Sequence, residues 1–240
     1  MSFYKCGHDR GLVILDNGPP EKFGLIDLLK GVCIIVILAV HSIVFFTQGF
    51  EFLALFSQAA VFALVVLLSY NYFGSMKRNS LRAFYYKRLR AYAPPIAVAW
   101  VFSALAGIAL GVKLRFGGQQ AIGFFPVPGA GNYFVPLLIQ LVLLTPVFYW
   151  LFKEHRFFFT VFSFSIAIFC LLVDFSAFYW HYNVIRFIPL VWIGFFCKLG
   201  KFFDLDHSVP IVNWFGRNSL KIFLGQIIFF SNLNTLGDFI

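Results

Sequence analysis

One stretch constrains this chain more than any other. From Phe23 to Phe46 it is apolar enough, and at 24 residues long enough, to cross a bilayer as a helix, which takes roughly 20 residues. Yet it carries Asp27, Lys30 and His41. At about 100° per residue these three fall within an arc of roughly 60° on one helix face. Lys30 and His41 then stand about 16 Å apart along the axis, from the interface towards the bilayer midplane. Ionisable groups at such depth are costly and face a protein interior or a wet cavity. A polar stripe on one face therefore reads as the wall of a site. A structural role is the competing reading: Asp27 and Lys30 reach up to the interface, and His41 makes an interhelix hydrogen bond.

The rest of the chain supports a membrane setting. It is 60% hydrophobic and 12% charged, with 35 Phe, more apolar surface than a soluble domain of 240 residues can hide. The expectation is an all-α polytopic bundle of about seven spans. These lie near 23–46, 50–73, 96–112, 133–152, 157–179, 187–199 and 214–230. Residues 1–22 are expected to form a short cytoplasmic tail with no cleavable leader, and 23–240 a single membrane domain. Six Lys or Arg lie between Lys77 and Arg90, which puts that segment and the N-terminus in the cytoplasm by the positive-inside rule. The net charge of +9 is accordingly read as topology and lipid attraction, not as nucleic-acid affinity. Pro94-Pro95 sit where a helix start tolerates proline, so the third span is expected to begin there.

Chemistry-bearing motifs are few. The five histidines fall in five different segments, so no metal site is expected. Four scattered cysteines read as small hydrophobes. A nucleophilic set of Ser69, His41 and Asp174 is conceivable, but spacing does not bring it together. Lys87, Arg88 and Arg90 follow Phe84-Tyr85-Tyr86, and cations beside stacking aromatics suit a ligand with phosphates and a flat base. Ordinary positive-inside signalling explains the same residues.

Five blocks in order resemble the acyltransferase-3 family of integral membrane acyltransferases. Ile26-Asp-Leu-Leu-Lys-Gly31, followed by His41, is similar to its opening motif, with ten residues between cation and His. Val66-Leu-Leu-Ser69 resembles the end of its second span. Phe84-Tyr-Tyr-Lys-Arg88-Leu-Arg90-Ala-Tyr-Ala-Pro-Pro95 resembles its basic cytoplasmic loop. Tyr133 through Gln140 to Pro146 is similar to its central span, and Trp214 through Asn218-Ser219 to Gln226 to a late Gly-x-x-Ser-Leu segment.

The resemblance implies transfer of an acyl group, with acetyl from acetyl-CoA the leading case, to a hydroxyl of a glycan or lipid-linked sugar at a bacterial-type inner membrane. It implies His41 as general base, Lys30 with Asp27 steadying the donor's charged portion, and Lys87, Arg88 and Arg90 holding the CoA phosphates. Ser69, Gln140 and Asn218 would line the cavity. Tyr70, Ala91, Gln140 and Gln226 depart from the family pattern, and about seven spans fall short of its about ten. These departures leave a second function class, a non-catalytic membrane subunit packed in an oligomer or larger complex. A small transporter is a third, without the paired Gly/Pro breaks such proteins carry.

Overall fold

The computed structural model describes residues 24–47, 51–109, 134–172, 184–203 and 209–226, and the described residues are helical with no strand. Helix α1 spans Leu25–Thr47, α2 Glu51–Arg78, α3 Leu81–Ala109, α4 Phe134–Glu154 and α5 Arg156–Leu172. A 3-10 turn at Val184–Phe187 leads into α6, Ile188–Leu199, and α7 covers Pro210–Arg217. After an offset at Asn218 the chain is helical again over 219–226.

Among the described residues three helices are long and apolar enough to cross a membrane: α1, α2 and α4. They answer to the first, second and fourth of the seven expected spans. α5 has 17 residues and α6 has 12, and the remainder of the fifth and seventh expected spans lies outside the described residues.

The inward face of α1 is the polar one. Residues 27, 30, 34, 37 and 41 recur every three or four positions, and Ile34 and Ile37 within that series are buried. Val32, Ile35 and Ile43 on the other faces are exposed, as side chains turned towards lipid would be. The polar stripe and the packing stripe are thus one surface.

α2 runs through the middle of the bundle, burying Val61, Leu64, Val65, Tyr70, Tyr72 and Phe73. Phe73 meets Tyr149, Phe152 and Phe195 at ring distances of 5.2, 5.6 and 5.1 Å. The chain turns at His155, and Phe159 of α5 comes back onto Phe148 and Phe152 of α4 at 6.0 and 6.3 Å. Such ring pairs contribute about 0.5–1.5 kcal/mol each beyond burial. In a bilayer, where lipid offers no hydrophobic contrast, contact packing of this kind holds helices together.

Glycines set the closest approaches. A Cβ on Gly194 of α6 would lie 2.7 Å from the Ser69 Cβ and 2.5 Å from the Val66 carbonyl oxygen of α2. A Cβ on Gly31 would collide with the Val212 carbonyl, and one on Gly216 with the Asp27 carbonyl. α7 therefore lies backbone to backbone on the first turns of α1, a small-residue contact of the kind membrane helices favour.

The basic segment differs from expectation. Lys77 and Arg78 end α2 and the other four cations lie on α3, not in a loop, because α3 starts well before the prolines. Ser80 caps it, with Oγ accepting from the Ala83 N–H at 3.3 Å and its carbonyl from the Phe84 N–H at 2.9 Å. Pro94 and Pro95 then fall inside α3. Lacking N–H donors, they deprive the carbonyls four residues back, those of Arg90 and Ala91, of their helical partners.

Candidate functional site

The site starts at the amino end of α1. Asp27 stands in the first turn, where a carboxylate suits the helix dipole. Its Oδ1 accepts from Lys30 Nζ at 3.3 Å, and its Oδ2 lies 3.6 Å from Arg217 Nε. The second contact exists because Gly216 lets α7 touch the Asp27 backbone. Asp27 is 26% exposed and Arg217 41%, so water screens these pairs to on the order of 1 kcal/mol or less each. They orient more than they stabilise.

These groups stand at a cavity of about 560 Å³. Asp27, Lys30, Arg217 and Lys221 supply its charge, three cations against one carboxylate among the described lining residues. Arg217 and Lys221 are four apart across the Asn218 offset. Ile34, Leu64, Leu68, Phe134 and Leu138 form an apolar wall, and Tyr92 and Pro95 of α3 close another side. The arrangement suits a ligand with concentrated negative charge at one end and a slender neutral arm.

His41 lies two turns beyond Ile34 on the same face of α1, about 10 Å further along the axis. It is not among the cavity's lining residues. Both ring nitrogens are engaged: Nε2 is 3.3 Å from Ser57 Oγ of α2, and Nδ1 contacts the Gln226 side-chain amide. Ser57 and Gln226 are buried, and Gln226 Oε1 has no hydrogen-bond partner among the described residues. The two faces of that amide are interchangeable. With nitrogen towards His41, Nε2 carries the ring proton and donates to Ser57. With oxygen towards His41, Nδ1–H donates to Gln226 and Nε2 becomes the basic atom.

The other expected site residues are dispersed. Lys87 Nζ donates to Asn79 Oδ1 at 3.3 Å on the surface, and Arg90 is exposed. Arg88 lays its guanidinium over the rings of Tyr72 (4.6 Å) and Phe84 (5.6 Å). None of these three lines the Lys30 cavity. Ser69 is buried against Gly194, Gln140 Oε1 accepts from the Val184 N–H at 3.0 Å, and Asn218 Nδ2 donates to the Trp214 carbonyl at 3.0 Å. They pack and cap; none lines the cavity either.

Sequence reasoning missed Arg217 and Lys221 as site residues, although a cation pair at four-residue spacing was a usable signal. Ser57 carried no signal: one small polar residue in a span is ordinary. Comparison with family models, curated proteins and solved structures returns no match for this chain.

Proposed function

We propose that this protein is an integral membrane O-acyltransferase of about seven spans with a cytoplasmic amino end, taking an acyl group from acyl-CoA, acetyl in the leading case. The acceptor is a hydroxyl of a glycan or lipid-linked sugar at a bacterial-type inner membrane. One observation carries the reading: a cation-rimmed cavity opens on the same face of α1 that presents His41. Lys30, Arg217 and Lys221 hold the donor's phosphates, and Asp27 keeps Lys30 and Arg217 in place. Lys87 and Arg90, exposed on α3, add long-range attraction for a polyanion. The neutral pantetheine arm follows Ile34, Leu64 and Leu138 inward.

His41 works with its Nε2 as base, Gln226 oxygen holding Nδ1–H. The acceptor oxygen attacks the thioester carbonyl while its proton passes to Nε2. The C–S bond then breaks, and the departing thiolate takes that proton. Gln226 thereby positions the ring rather than reacting.

The rival reading, an inactive subunit, draws on the same cluster: a histidine hydrogen-bonded on both sides ties three helical segments together. The two part company in a transfer assay. Membranes carrying the protein, given acetyl-labelled CoA and a panel of glycan and lipid-linked sugar acceptors, are expected to move label into an acceptor, and control membranes are not. Label remaining on CoA with every acceptor would favour the subunit.

A further inference from the structure

A second cavity, of about 970 Å³, lies between α3 and α4. Its lining changes character along α3. Arg82 and Arg88 stand at one end beside Tyr85 and Tyr86, and Ile96 and Ala97 at the other. Across it, α4 contributes Leu143 and Val142 level with Tyr85 and Ile139 beside Ile96 at the far end, so the facing wall is apolar along its length. Tyr85 donates its hydroxyl to the Leu143 carbonyl at 2.9 Å, and Tyr92 pairs with Tyr72 at 2.8 Å. Those two hydroxyls are thus spent on joining helices. The groove therefore has cations at one end and hydrocarbon at the other.

The dimensions fit a membrane amphiphile. Ala97 lies nine positions beyond Arg88, about 14 Å of helix, close to the roughly 15 Å hydrocarbon depth of one leaflet. The carbonyls of Arg90 and Ala91, deprived of helical partners by Pro94 and Pro95, fall near the cationic end, at the level where headgroup and water can satisfy them. Arg88 is held by stacking on Tyr72 and Phe84 and lines the groove. A guanidinium fixed on two rings in this way suits an anionic oxygen, and a phosphodiester supplies one with the right planar fit.

We infer that the groove between α3 and α4 is a binding site for an acidic phospholipid, its phosphate on Arg88 and Arg82 and one acyl chain lying along Ile96, Ala97 and Ile139. Among the described lining residues the groove shares only Tyr92 with the Lys30 cavity, and the inference does not depend on acyl transfer.

Native mass spectrometry of the full chain, released from neutral detergent with equimolar phosphatidylglycerol and phosphatidylcholine, tests it. Phosphatidylglycerol is expected to be retained at one copy and at least about fivefold in preference to phosphatidylcholine. Arg88→Gln should erase the preference, and Arg88→Lys, which keeps charge and bulk but loses the planar fork, should reduce it. Ile139→Trp, which fills the apolar end, should lower retention of both lipids with the arginines untouched. Equal retention of the two lipids, or an Arg88→Gln protein with wild-type preference, would overturn the assignment. So would displacement of the bound phosphatidylglycerol by millimolar inorganic phosphate or CoA, since the arginines would then serve a free anion.

Discussion

Replacing His41 by Gln is expected to lower acyl transfer by roughly 10²–10⁴-fold while leaving the folded protein in the membrane. Glutamine reaches as far as the imidazole and still offers a donor and an acceptor, so the contacts to Ser57 and Gln226 have replacements. What it cannot do is take a proton from the attacking hydroxyl and return it to the thiolate. His41→Leu removes the hydrogen bonds as well and should cost stability in addition, modestly, because interhelical hydrogen bonds in membranes average under about 1 kcal/mol. The measurement is label transfer from acetyl-CoA in membranes, normalised to protein level. A His41→Gln protein with wild-type turnover would leave His41 as a structural tie.

Gly216→Val is expected to be the most damaging single substitution at the α1–α7 contact. Any Cβ there meets the Asp27 carbonyl, and a backbone atom cannot rotate away as a side chain can. α7 must lift off α1, and with it go the Arg217–Asp27 pair and one wall of the cavity. Overpacking of this kind costs typically 1–3 kcal/mol and more where nothing gives. Gly225 provides the control, since a Cβ there meets nothing within 4 Å and alanine is the better helix former. Thermal unfolding in detergent should show Gly216→Val well below wild type and Gly225→Ala level with it or above. Equal midpoints for Gly216→Val and wild type would mean that the two helices do not touch there.

Local periodicity was legible in the sequence; distant contact was not. The series 27, 30, 34, 37, 41 follows from helix geometry alone, and α1 buries that face. The extent of α3 was misread because the prolines were weighed without the Ser80 cap upstream. The cation–aromatic association around Arg88 could be anticipated from Phe84, but Tyr72, the nearer ring, belongs to another helix. Gln226 touches His41 across 185 positions, and Arg217 reaches Asp27 only because two glycines let helices meet. Pairings like these are set by how the bundle closes, and no spacing rule contains them. The aromatic core shows the same limit: the 35 Phe announce packing, not which ring meets which.

The central claim is that the Lys30 cavity holds the acyl donor. Equilibrium binding of labelled acetyl-CoA to the purified protein, wild type beside Lys30→Gln and Arg217→Gln, tests it most directly. Each charge-assisted contact contributes on the order of 1.5–3 kcal/mol, so either substitution should weaken binding about tenfold or more and flatten its dependence on salt. Lys87→Gln, outside the cavity, should change affinity only slightly. Wild-type affinity in both Lys30→Gln and Arg217→Gln, or no saturable binding by the wild type, would contradict the account.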